Sequence, residues 1–325
     1  MKKSKIFLII GLMFLLVSIG LVIYPLFSEF VNNQLAKGTI TQYDNQVNSL
    51  TDKEKNDFLR AASRYNTNLS NVVSDSFSPD AFKVSKEYME IMNVTDDGLI
   101  GSVTIPKIDC SLPIYHGSSE KELDRGAIHM ANTSFPIGGK NTHAVISAHT
   151  AYPGKEFFNR LTELEKNDIF EISVLGDTLY YKVSDIYVVL PNDSEKLRVV
   201  KGEDLCTLVT CTPYSVNTHR LLVRGTRIYP DDITEEEKNS LEPPKHNYAI
   251  LIIFVLIIIA TLILILFRWR KRQIKDKVLK GLIKGVKKSS HEELVQGGSG
   301  AGFTRFSDLS VTTAHKDKEA DHDEK

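Results

Sequence analysis

Two long apolar runs punctuate the chain. The first, Ile6–Phe27, follows Lys2, Lys3 and Lys5. It outruns a signal-peptide core and no small-x-small cleavage site follows it, so it predicts an uncleaved signal-anchor helix. The second, Tyr248–Phe267, is followed by Arg268, Arg270, Lys271 and Arg272. Each run is close to the ~20 residues that cross ~30 Å of hydrocarbon. Positive charge lies before the first run and after the second. The positive-inside rule then predicts a two-pass protein with both termini cytoplasmic and Ser28–Asn247 outside.

Between the runs the pattern changes twice. Ser28 to about Val94 is polar with helical spacing. Thr51-Asp52-Lys53-Glu54 reads as a capping box, and Phe58, Ala61, Ala62, Tyr65 and Leu69 follow on one helical face. Ser74–Asp80 breaks that face and predicts a loop. From Gly98 short β-branched runs alternate with turn residues. They are Leu99–Ile105, Leu112–Tyr115, His143–Ser147, Ile169–Val174, Thr178–Val183, Ile186–Leu190, Thr207–Thr210 and Leu221–Ile228. Many short strands at this spacing predict a mainly β domain, a barrel or a sandwich. Phe157–Leu164 is the one helix predicted within it.

After the second apolar run, Ile274, Val278, Leu279, Leu282, Ile283 and Val286 share one face among lysines. This predicts an amphipathic helix on an anionic membrane surface, with a solvated basic tail as the alternative. Beyond Ser289 the composition predicts disorder. The resulting plan is a stub and anchor over 1–27, a helical extension over 28–97 with a loop near 74–80, and a β domain over 98–230. A linker over 231–247, a second span over 248–267 and a cytoplasmic tail over 268–325 complete it.

Charge adds little. Forty Lys and Arg against forty-one Asp and Glu give a net charge of −1, and nothing here invokes nucleic acid. Cysteine adds more. The outer segment holds three, Cys110, Cys206 and Cys211, an odd count that argues against a disulfide framework and leaves at least one thiol. Outside the cell such a thiol is either buried and inert or kept for its reactivity.

The segment from Thr207 to Gly225 is the most informative. One strand ends at Cys211, a loop with Pro213 and Asn217 follows, and a second strand begins near Arg220. Paired as a hairpin, these strands bring Cys211 and Arg220 together. A guanidinium there would lower the thiol pKa and stabilise a developing oxyanion. The competing reading is a buried structural cysteine beside a surface arginine. A cysteine nucleophile also needs an acid or base, and the outer region offers His116, His129, His143, His149, His219 and His246. His143 and His149 fall on one face of a strand-like run, with His149 leading into a loop. Chemistry alone does not choose between them.

Thr207-Leu208-Val209-Thr210-Cys211 resembles the TLxTC signature of the sortases, and Arg220 stands at the place of their essential arginine. Thr142–His149 resembles the segment that ends in the sortase catalytic histidine, which selects His149. The likeness extends through Ile105-Pro106-Lys107-Ile108 and Leu112–Gly117, and covers about residues 65–230. It implies an eight-stranded sortase barrel with short helices, a helical N-terminal extension and two transmembrane helices. It also implies Cys211 as nucleophile, His149 as general acid/base, Arg220 as the group that steadies the oxyanion and orients the peptide, and Thr207, Leu208 and Thr210 as substrate-binding positions.

The second span, the helical extension and the run from Cys211 to Arg220 are similar to class C, the pilus-assembling sortases of Gram-positive bacteria. That class carries a lid with an Asp-Pro-aromatic motif. Here Asp75 and Phe77 match and Ser76 replaces the proline, which predicts a lid less pre-organised than usual. A second departure is Thr150-Ala151 where many relatives have Arg-Gly. The implied partners are the cell membrane and pilins or surface proteins bearing a Leu-Pro-x-Thr-Gly-like signal, met by a monomeric catalytic domain. No metal or organic cofactor is implied. The alternatives are a housekeeping sortase that loads peptidoglycan and a non-enzymatic β-rich ectodomain.

Overall fold

A computed structural model describes residues 2–69, 77, 83–117, 119–241 and 249–296. The anchor run is helical and does not stop at the predicted boundary. It continues as one helix, α1 (Lys2–Ser49). Among the described residues, one stretch is long and apolar enough to cross a membrane, Met13–Ser49 within α1.

The polar half of α1 packs on the β domain. Tyr43 and Val47 are buried there. The Tyr43 hydroxyl donates to the Ile100 carbonyl at 2.7 Å and accepts from the Leu175 amide at 3.1 Å. Nearer the apolar run, Ser28 and Asn32 both donate to the Gly154 carbonyl, at 2.9 and 2.6 Å. The capping box forms as the sequence predicts and opens α2 (Asp52–Thr67). The Glu54 carboxylate accepts from the Thr51 amide at 2.8 Å, and the Glu54 amide donates to the Thr51 hydroxyl at 3.3 Å. Ala62 on the predicted face is fully buried, and Phe58, Ala61 and Tyr65 are partly buried against the same core. The short α3 (Lys86–Glu90) is started by the Ser85 hydroxyl, which accepts from the Tyr88 amide.

The β domain is a closed barrel of β1 (Leu99–Ile105), β2 (Cys110–His116), β3 (Ala127–His129), β4 (Thr142–Ser147), β5 (Ile169–Val174), β6 (Asp177–Val189), β7 (Asp204–Thr212) and β8 (His219–Ile228). Their order around the barrel is β1-β2-β3-β4-β7-β8-β6-β5. The β2/β3 and β4/β7 pairs are parallel and the others antiparallel. Closure leaves no open sheet edge. The core runs through Val103, Ile105, Ile114, Phe170, Ile172, Leu208 and Val223.

Three details differ from the sequence expectation. β3 is three residues long and gave no periodic signal. Thr178–Val183 and Ile186–Leu190 belong to a single strand, β6, interrupted by a bulge between Val183 and Asp185. Phe157–Leu164 is not an α-helix: it contains turns and a single 3-10 turn at Leu161–Glu163. The periodicity did not mark the places of two short helices, α4 (Glu120–Leu123) between β2 and β3, and α5 (Glu235–Ser240) within the expected linker.

Gly225 on β8 shows how tightly the wall is packed. A Cβ there would lie 2.6 Å from Phe170 Cε1 and 2.9 Å from Tyr181 Cβ, inside contact distance of both. Gly225→Ala is expected to destabilise the barrel by about 1–3 kcal/mol, as overpacking does. A thermal melt of the detergent-solubilised chain checks this, and an unchanged melting temperature refutes it.

Residues 246–325 form a separate unit. Its described part is one helix, α6 (Ala249–Gln296), which takes in most of the second apolar run and the basic segment after it.

Candidate active site

The antiparallel β7/β8 pairing places Cys211 directly opposite Arg220. The chain between them folds back through the amides of Val216 and Asn217, which both donate to the Pro213 carbonyl, at 3.0 and 2.9 Å. Asn217 takes the left-handed conformation, φ 60°, that asparagine tolerates well. Its carbonyl and that of His219 accept from Arg220 Nη1, each at 3.1 Å, so the loop grips the guanidinium. Cys211 and Arg220 are each 8% exposed.

β4 runs parallel to β7 with Ser147 opposite Val209. Two residues further along each chain stand His149 and Cys211. The adjoining backbone is fixed twice. The Ala148 amide donates to the Val209 carbonyl at 3.1 Å, and the Thr210 hydroxyl donates to the Ala148 carbonyl at 2.8 Å. The fold thus delivers His149, Cys211 and Arg220 to one end of three neighbouring strands.

The His149 ring lies among aromatic rings. Its centroid is 5.1 Å from Tyr152, 5.7 Å from Phe77 and 6.4 Å from Phe157. Phe77 also lies under the Arg220 guanidinium, 4.9 Å from its centroid. One aromatic from the expected lid therefore touches both the histidine and the arginine. Asp75, the other lid residue, and Ser76 lie outside the described residues. Burial pushes the His149 pKa below the ordinary imidazole value, and the Asp124 carboxylate works against that shift. Asp124 Oδ1 is 3.4 Å from His149 Nε2.

The candidate histidines differ in their surroundings. His143 is sealed in the barrel, with Nδ1 2.8 Å from the Arg198 carbonyl and Nε2 2.7 Å from the Thr207 hydroxyl. Its pKa falls to about 4, driven by desolvation. His116 and His129 are equally buried, packed around Tyr88 and Phe135. Burial pushes His129 down to about 3.

The cysteines separate in the same way. None of the three is in a disulfide. Cys110 donates to the Phe157 carbonyl and is pushed up to about 12 by burial, while Cys206 is raised well above the usual thiol range for the same reason. Both belong to the packing.

Thr207, Leu208 and Thr210 are turned into the fold at 1%, 0% and 1% exposure. As described, Thr207 holds His143, Leu208 fills the core and Thr210 ties down the strand end before His149. At the second departure from the sortase pattern, Ala151 takes φ 59°, a conformation easier for glycine, with its amide donating to Asn159 Oδ1 at 2.7 Å. Sequence reading missed Asp124, Tyr152 and Phe157 as neighbours of His149. No local pattern marks them, because the contacts exist only once α4 and the loop after β4 are folded.

A family model described as the sortase domain matches residues 103–228. Among solved structures, sortase C-1 from Streptococcus pneumoniae is 39% identical with a TM-score of 0.56, covering 59% of this chain and 98% of that one. The pilus-related sortase C of Group B Streptococcus is 41% identical with a TM-score of 0.54, covering 58% of this chain and 96% of that one. Sortase A of Streptococcus agalactiae serotype III (strain NEM316) is 29% identical over 130 residues, 39% of this chain. The chain matches only about half, 52%, of that protein's length. The chain thus covers those sortase C structures nearly end to end at 39–41% identity, and it belongs to the sortase family.

Proposed function

We propose that the chain is a cysteine transpeptidase of the class C, pilin-joining kind. The observation that carries this is the register: Cys211 faces Arg220 across β7/β8, and His149 leaves β4 beside them. The substrate is an extended Leu-Pro-x-Thr-Gly-like signal. The Cys211 sulfur attacks the threonine carbonyl as His149 takes the thiol proton. Arg220 steadies the negative oxygen of the tetrahedral intermediate. Collapse breaks the Thr–Gly bond, and His149 returns the proton to the departing amine. A thioester remains on Cys211. A lysine amine of the next pilin then attacks it, His149 removes the proton from that amine, and Cys211 leaves as the new amide forms. In this scheme Thr207, Leu208 and Thr210 act as positioning residues beneath the site.

The long α1 supports an anchored enzyme whose catalytic unit sits just outside the membrane of a Gram-positive cell. The apolar start of α6 supports a second crossing, and the basic segment that continues the same helix supports attraction to anionic headgroups at the inner face. The identity of 39–41% to sortase C structures supports pilin joining over peptidoglycan loading. Offering both a pilin lysine and a peptidoglycan amine to the acyl-enzyme separates the two.

The test is cleavage of a fluorescent sorting-signal peptide by the full chain, with mass spectrometry for an acyl adduct on Cys211. An adduct supports the proposal. Its absence from both the parent and a lid-opened variant, across several signal peptides, would overturn it. Phe77→Ala is that variant. Removing the ring that bridges His149 and Arg220 is expected to raise both thiol alkylation and peptide turnover several-fold, because a site covered part of the time binds only in its open fraction. Equal or slower rates would show that Phe77 does not restrict access.

A further inference from the structure

Asp124 is held in place from several sides. It caps α4, where its amide donates to the Glu120 carbonyl at 2.9 Å. Its own carbonyl accepts from Lys155 Nζ. Leu123, beside it, is 1% exposed and anchors the turn in the core. The next residue, Arg125, is paired with Asp97 at 2.8 Å and lies over the Tyr115 ring. The Asp124 carboxylate is therefore presented from a fixed backbone.

It faces an atom that needs it. His149 Nε2 is buried and makes no aligned hydrogen bond, with Asp124 Oδ1 3.4 Å away. Among the described residues Phe77, Tyr152 and Phe157 flank the imidazole, and Asp124 offers a carboxylate at its Nε2 edge. Unliganded active sites often hold such contacts long and tighten them when substrate binds. The remaining charged or titratable groups around the ring are Glu120 on α4, and Tyr152 and Lys155 on the loop after β4. Arg220 and Cys211 lie on the β7/β8 side.

We propose that Asp124 is a positioning residue for His149, holding the ring through Nε2 and stabilising the imidazolium that forms during acyl transfer, so that Nδ1 is the nitrogen that exchanges protons with the reacting groups. This rests on the reading of His149 as the acid/base. Asp124 itself touches no reacting atom. The logic is that of a carboxylate behind a histidine, which selects one tautomer and one ring orientation.

The experiment compares parent, Asp124→Asn and Asp124→Glu, all as full chains in detergent. The first readout is the proton-binding equilibrium of His149 from NMR of ring-labelled histidine, assigned by loss of its signal in His149→Gln. Asp124→Asn is expected to weaken proton binding about tenfold, as loss of an opposite charge within ~4–6 Å does. Asp124→Glu is expected to recover most of it. The second readout is the pH profile of peptide cleavage. In Asp124→Asn, kcat should fall about tenfold or more with KM little changed, and the limb that needs protonated His149 should move to lower pH. An unchanged His149 titration in Asp124→Asn would overturn the proposal, whatever the peptide assay shows. Absence of an acyl adduct in the parent would instead overturn the transpeptidase reading, and the titration would still report on the pair.

Discussion

Cys211→Ala is expected to abolish the acyl adduct and to reduce peptide cleavage by four orders of magnitude or more, on the order of what removing a covalent nucleophile costs. No other thiol can substitute. Cys110 is hydrogen-bonded to the Phe157 carbonyl and held up at about 12, and Cys206 is wholly buried and shifted in the same direction. The variant should fold, because Cys211 sits at the end of β7 and alanine preserves the backbone ladder. Sorting-signal peptide should still bind, so a pull-down with immobilised peptide separates lost chemistry from lost binding. Residual turnover of more than about one part in a thousand would place the nucleophile elsewhere, since uncatalysed background and ground-state binding cannot supply it.

The strands of this barrel were readable from their short β-branched runs, whether a strand is buried almost throughout, as β1 is, or shows alternating burial, as most of β5 does; both begin and end where their runs do. β6 read as two strands because the bulge between Val183 and Asp185 shifts the phase of that alternation. The false helix has a similar cause. Phe157, Phe158, Leu161 and Leu164 are all buried, so their helical spacing reported which residues face the core and not the path of the backbone, which takes φ 35° at Phe157. Cys211 and Arg220 were legible because a short hairpin loop leaves one pairing to make. The preference for His149 over His143 was not: it came from the family resemblance, and the burial of His143 agrees with it. Asp124 was invisible for a stronger reason. It meets His149 across 25 positions of sequence, from a four-residue helix that lacks a capping side chain.

Arg220→Ala is expected to lower kcat by about 10²–10³-fold, the usual cost of losing one preorganised oxyanion donor. The same chain should acylate slowly but still react at Cys211 with a small alkylating reagent, which builds no tetrahedral oxyanion. Arg220→Lys sharpens the argument. Lysine keeps the charge but loses the planar fork that Asn217 and His219 hold through Nη1. If charge alone lowers the pKa of Cys211, the lysine variant should approach parental alkylation. If donor geometry stabilises the intermediate, its peptide turnover should stay well below the parent while alkylation recovers. The lysine variant should also loosen the lid, because the guanidinium face that lies 4.9 Å from the Phe77 ring is gone. A loss confined to KM in both variants would instead make Arg220 a peptide-binding group with no part in stabilising the oxyanion.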